Sequence, residues 1–175
     1  MEKMYKDDLR DILEELPCPE VILSVDCDGK KDLMTATAMW LSYDPVIVAI
    51  YIRPDRMTHD LVKAAREFAI NVCSEAQAPL ALEVGTSTGR EADKIKKFNI
   101  KTTKAQFIRA PLIDGCVANY ECKLVNSFEI GNHTCFLGLV VSYRKDKNLK
   151  PLNRFRGKTY KLGEALAEVR IEYPH

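Results

Sequence analysis

The chain has 175 residues, a formal net charge of +1, 46% hydrophobic residues and 29% charged residues. That length suits one domain over residues 1–175, with a core that needs no disulfide or metal staple, and the composition excludes a disordered or collagen-like chain. A near-neutral molecule has no overall field to gather nucleic acid or an anionic membrane, its longest apolar run, Val46 to Ile52, is too short to span a bilayer as a helix, and its mixed-charge start lacks a secretory pattern, so the expected location is the cytoplasm.

Residues 4–16 place Leu9, Ile12, Leu13 and Leu16 at helical spacing, predicting a short amphipathic helix that ends before Pro17. Glu20 to Val25 reads as a strand, and Asp26-Cys27-Asp28-Gly29-Lys30 is turn chemistry leading into the next run, a hairpin. From Leu33 to Leu41 small residues dominate, which lets a backbone or a flat ligand approach closely. Asp44-Pro45 marks a turn, and Val46 to Ile52 is expected as a strand buried on both faces. Thr58 is expected to cap a helix carrying Leu61, Val62 and Ala65, before a strand from Phe68 to Val72.

Further on, Pro79 to Val84 predicts a short helix stopped at Gly85, and Glu91 to Phe98 a second one with Ile95 and Phe98 inward and Lys94 free. Cys116 to Phe128 and His133 to Tyr143 read as long strands joined by Gly131-Asn132, a sequence suited to a tight type II′ turn. A last strand is expected from Thr159 to Leu162. On the first long strand Cys116, Ala118, Tyr120, Cys122 and Leu124 share the apolar face, opposite Asn119, Glu121 and Lys123, so these cysteines read as buried thiols. The six cysteines form no Cys-x-x-Cys pair and the three histidines have no ligand spacing, so no metal centre is expected. The order of elements predicts a mainly β fold with inserted helices, a closed or nearly closed antiparallel barrel.

The chemistry concentrates at the corner after Ile52. Arg53, Arg56, Thr58 and the amides of His59 and Asp60 offer guanidinium forks, a hydroxyl and a helix start, the set that holds a phosphate monoester. The same residues also fit a solvated strand-helix corner with Thr58 as a simple cap. His133 beside its turn, Lys94 on its helix, and Trp40 and Phe155 each have an ordinary structural reading as well. There is no Gly-x-Gly-x-x-Gly fingerprint, and the Gly85 to Arg90 run lacks the end of a P-loop. No Gly-x-Ser-x-Gly elbow or carboxylate pair supports hydrolysis.

Together these stretches resemble the flavin reductase-like, FMN-binding split-barrel family, and within it the flavoredoxin branch. The resemblance rests on Pro17-x-Pro-Glu-Val-Ile-Leu, Leu33-Met34-Thr35, Asp44-Pro45, Arg53-Pro-x-Arg56-x-Thr58-His59 and Phe68-x-x-Asn71-Val72. It continues in Ser87-Thr-Gly89, Asp93-Lys94, Ala110-Pro111, Gly131-Asn-His133-Thr134 and Pro151-Leu152 with Phe155 and Gly157. It implies a six-stranded Greek-key split barrel, a homodimer, and FMN near the subunit interface, with NAD(P)H or a small electron-transfer protein as donor. It further implies that Asp32, Thr35, Ala36, Thr37 and Ala38 run along the flavin and its ribityl chain. Arg53, Arg56, Thr58 and His59 would surround the phosphate, and Lys94, His133 and Phe155 would approach the ring. The chain departs from the pattern at Asp32, where the family commonly has Asn, and at Ala38, where flavoredoxins often place Trp. A non-catalytic redox sensor and a related barrel for another planar ligand, such as haem or a pyridoxal phosphate, are the alternative readings.

Overall fold

The computed structural model describes residue 12 and residues 14–168, so the helix expected over residues 4–16 lies largely outside the described residues. The main sheet is antiparallel and seven-stranded, in the order β3-β2-β6-β9-β10-β5-β4. Its strands are β2 (Val21–Cys27), β3 (Lys30–Ala36), β4 (Ala38–Tyr43), β5 (Val46–Ile52), β6 (Glu67–Val72), β9 (Ala118–Ile130) and β10 (His133–Lys145). β1 (Cys18–Pro19), β11 (Leu152–Phe155) and β12 (Lys158–Lys161) make a small separate sheet, and β7 (Thr102–Thr103) pairs with β8 (Leu112–Ile113).

The two edges of the main sheet, β3 and β4, are consecutive in the chain and separated only by Thr37. Their covalent join closes the sheet into a barrel that is split at that corner. Counted as one strand bent at Thr37, the pair turns the seven observed strands into the six that the resemblance implies. The expected run from Leu33 to Leu41 thus becomes two strands, because its small residues let the backbone turn the corner.

Turn chemistry sets the hairpins. Asp28 and Gly29 have φ of 52° and 87°, the double positive φ of a type I′ turn, and the Gly29 amide donates to Asp26 Oδ1 at 2.8 Å. Gly131 at φ 57° opens the β9–β10 turn, in keeping with the expected type II′ geometry.

Inside the barrel Leu23, Val25, Ile50, Ile52, Phe68, Ile70, Cys122 and Phe136 form the core. α1 (Met57–Ala65) closes one end with Met57, Leu61 and Val62, and α2 (Ala78–Thr86) packs a second cluster of Ile22, Leu33, Ala81 and Val84 outside β2 and β3. β5 is buried on both faces through its middle, at Val48, Ala49 and Ile50, but not along its whole length as expected: Val46 at its start and Tyr51 near its end are 39% and 37% exposed. The opposite correction applies to β9, where Asn119 and Glu121 are buried with the cysteines. The segment 105–113 lies over that face, with the amides of Gln106 and Phe107 donating to Glu121 and Asn119 donating to Asn71 and the Ile113 carbonyl. Among the described residues no helix is long and apolar enough to cross a membrane.

Candidate functional site

A polar cleft of about 220 Å³ opens where β3, the start of α1 and the segment after α2 meet. β3 contributes Asp32, Met34 and Thr35, the α1 corner contributes Arg56 and Thr58, and the segment from Gly85 to Lys94 forms the third wall. Alternation along β3 explains the division of labour. Asp32 and Met34 turn towards α1, whereas Leu33 packs in the second core cluster and Thr35 donates its hydroxyl to the Ala81 carbonyl of α2 at 2.6 Å.

The floor of the cleft is a buried charge pair. Asp32 and Lys94 are each 5% exposed, with Lys94 Nζ 3.3 Å from Asp32 Oδ1 and bonded to the Leu33 carbonyl. Thr58 Oγ1 donates to Asp32 Oδ2 at 2.6 Å. Burial pushes the Lys94 ammonium below its ordinary pKa, partly offset by the Asp32 carboxylate. Although near Lys94, Asp32 Oδ1 has no hydrogen-bond partner. Gly89 lies directly against it: a Cβ at that position would sit 2.2 Å from the same oxygen. The rim above carries half-exposed Arg56 and Arg90 beside Ser87 and Thr88, with Arg56 3.8 Å from Asp55, which also lines the cleft, and Arg90 3.6 Å from Asp60.

These facts correct several expectations. Thr58 does not cap α1. The N-cap is Arg56, which makes no side-chain cap bond, while Thr58 lies within the first turn and its hydroxyl is directed to Asp32. The His59 amide donates to the Arg56 carbonyl at 3.1 Å, so it is not free for an anion. The His59 ring points into the barrel end, its Nε2 3.0 Å from Thr134 Oγ1 and its ring against Phe136. Arg53 is drawn to Asp55 at 2.9 Å and does not line the cleft. Lys94 is not free. The expected helix from Glu91 is only α3, Lys94–Lys97, because Asp93 caps it by accepting from the amides of Ile95 and Lys96, and the late start turns Lys94 inward. Ile95 and Phe98 do pack inward as expected.

Of the remaining candidates, Ala36, Thr37 and Ala38 form the corner where β3 becomes β4, with Ala36 and Ala38 half-buried. His133 bonds to Asn132 within its turn and pairs with Ile130. It takes the outer face of the sheet, because its neighbour Thr134 pairs with core residue Ile52. Phe155 packs on Tyr160 and Arg156. The cleft therefore gathers Asp32, Thr35, Arg56, Thr58 and Lys94 from the sequence set, and adds Ser87, Thr88, Gly89 and Arg90. The signal for the added wall was the Gly85-Thr-Ser-Thr-Gly89-Arg run, whose hydroxyls and glycines fit an oxyanion without the P-loop lysine.

The donor set suits a phosphorylated polyol. Two arginines and two hydroxyls at the rim suit the phosphate, and the unbonded Asp32 oxygen below them calls for an O–H donor.

Comparison with known proteins gives a family match. The model described as flavin reductase like domain matches residues 13–163. The NADH:FAD oxidoreductase SgcE6 of Streptomyces globisporus superposes with a TM-score of 0.84 at 25% identity, covering 91% of this chain and 95% of its own. An FMN-binding protein from Thermus thermophilus gives a TM-score of 0.80 at 25% identity, covering 87% of this chain and 91% of its own. In sequence, a ferric-chelate reductase (NAD(P)H) of Archaeoglobus fulgidus is 29% identical over 122 residues, 69% of this chain and 71% of the relative. Relatives from Pyrococcus abyssi, Aeropyrum pernix and Moorella thermoacetica are matched over only 59%, 54% and 45% of their own lengths.

Proposed function

The chain belongs to the flavin reductase-like family, and from that footing we propose that it binds FMN in the β3–α1 cleft and passes electrons through it, taking them from NADH or NADPH. The observation that carries this reading is the unbonded, buried Asp32 oxygen beneath a rim of Arg56, Arg90, Ser87 and Thr88. Arg56 and Arg90 hold the phosphate, and Asp32 accepts from a ribityl hydroxyl. Thr58 and Lys94 hold Asp32 in place rather than touching the ligand. Bound flavin supplies hydride and electron acceptance at its ring, so no side chain need act as a nucleophile.

FMN is the flavin proposed, with Arg56 and Arg90 as the cations that line the cleft. The names of relatives support both flavins, since one is an FMN reductase (NADH) and another an NADH-dependent FAD reductase. A homodimer is part of the proposal. Strands β9, β5 and β4 turn Phe128, Ile130, Tyr51 and Met39 outward, and the register sets Phe128, the buried Cys135 of β10 and Tyr51 in one row across the same face as His133. A second copy on that face would bury the patch and bring His133 to an interface.

Binding titrations test the site. Arg56→Ala is expected to weaken FMN binding by about 1.5–3 kcal/mol, the worth of a charge-assisted hydrogen bond. An unchanged dissociation constant refutes the phosphate assignment. FMN that binds but is not bleached by NADH or NADPH without oxygen would leave a carrier or a sensor in place of a reductase.

A further inference from the structure

A second cleft of about 320 Å³ lies between α2 and the β11–β12 hairpin, and it meets the first at Thr35 and Gly85. Gly85 and Thr35 form a low ridge between the two: Thr35 donates to the Ala81 carbonyl, and a Cβ at Gly85 would lie 3.2 Å from Thr35 Cβ. The far wall of the second cleft carries an ion pair of very unequal exposure. Glu20 is 3% exposed and accepts from Arg154 Nη2 at 2.7 Å and from Thr159 Oγ1 at 2.7 Å, whereas the Arg154 side chain is 47% exposed.

Both Glu20 oxygens are thus engaged from within, and the carboxylate orients the guanidinium from behind. Arg154 keeps further N–H donors beyond the one spent on Glu20. The pair behaves as a fixed dipole whose positive end faces the cleft, and its planar fork matches two neighbouring acceptor atoms on a ligand edge. Lys94 cannot take this part, being tied to Asp32 and the Leu33 carbonyl. Nor does Phe155, which follows Arg154 on β11 and so takes the other face.

Resting on the flavin reading above, we propose that the second cleft receives the flavin ring, with Arg154 as the residue that binds its pyrimidine edge. Arg154 there stabilises the single negative charge that addition of two electrons and one proton leaves on that edge. It thereby favours reduced over oxidised FMN, and Glu20 acts as its positioning residue.

The test compares affinity for FMN in air with affinity for photoreduced FMN without oxygen, in the wild type, Arg154→Gln and Arg154→Lys. For Arg154→Gln the ratio of reduced to oxidised affinity is expected to fall roughly tenfold, equivalent to a two-electron potential lower by about 30 mV. Arg154→Lys, which keeps the charge and the pairing with Glu20, is expected to recover most of that ratio. Equal weakening of both redox states in Arg154→Gln, or the same ratio in the Gln and Lys variants, overturns the Arg154 assignment while leaving FMN binding standing. A wild type that retains neither form of FMN overturns the parent reading and this one with it.

Discussion

Placing a methyl group on Gly89 attacks the candidate site at its tightest point. A Cβ there meets Asp32 Oδ1 at 2.2 Å, Cγ at 2.6 Å and Oδ2 at 3.1 Å. Ordinary contacts between such atoms begin at about 3.4 Å, so the overlap exceeds 1 Å. The carboxylate cannot swing aside freely, because Thr58 holds Oδ2 at 2.6 Å and Lys94 stands 3.3 Å from Oδ1. Relief requires the segment around Gly89 to lift or a link to Asp32 to break. Overpacking of a close-packed site costs about 1–3 kcal/mol. Gly89→Ala is therefore expected to lose about that much in urea denaturation and to weaken FMN binding in the same titration. Gly163→Ala is the control, since nothing lies within 4 Å of a Cβ there, and it should stay within about 0.5 kcal/mol of wild type. Truncating Asp32 to Ala in the Gly89→Ala background removes the clash, so the double variant should lose less than the sum of its parts. Unchanged stability and unchanged FMN affinity in Gly89→Ala would refute the geometry argued for the cleft.

Three further outcomes follow from groups described above. Lys94→Met leaves the Asp32 carboxylate buried without its cation and is expected to cost about 3–5 kcal/mol in the same denaturation assay, whereas an exposed helix lysine would cost almost nothing. Glu67 is buried, which raises its carboxyl pKa, yet hydrogen bonds from Lys123 and Arg109 outweigh this and hold it below the ordinary value of 4.5. Its contribution to stability is thus complete above that value and lost as pH falls through the lowered one, so Glu67→Gln should flatten the loss of stability between pH 7 and pH 3. Burial pushes the Cys116 thiol up to about 11 and also raises Cys73, Cys122 and Cys135. A thiol reagent at pH 8 should therefore react quickly with only the half-buried Cys18 and Cys27 of the six in the native protein, and with all six in denaturant.

The strands and turns were legible because their signals are local. Period-two alternation, Asp28-Gly29 and Gly131-Asn132 act within a few residues, and the structure honours each. The site was legible only in part, because its decisive facts are contacts between distant segments. Nothing near Lys94 in sequence reveals that Asp93 caps a four-residue helix and thereby turns the lysine towards Asp32. Likewise Asn119 and Glu121 alternate like an exposed face, and only the segment 105–113 folding over them makes them buried. Arg154 was overshadowed by Phe155 beside it, since a one-residue change of parity decides which side chain faces the second cleft.

The corner at Thr37 has a consequence for how this protein can change over time. Among the described residues β3 and β4, as the outermost strands, each leave one row of main-chain amides and carbonyls without a strand partner, and both rows converge at the corner. Whatever meets that corner is gripped through peptide groups, which every residue except proline supplies in full. Ala36, Thr37 and Ala38 could then be exchanged for other small residues with little loss of grip. Recognition written into the backbone leaves few letters behind, so a corner of this kind can persist among relatives that keep only about a quarter of their residues in common with this chain.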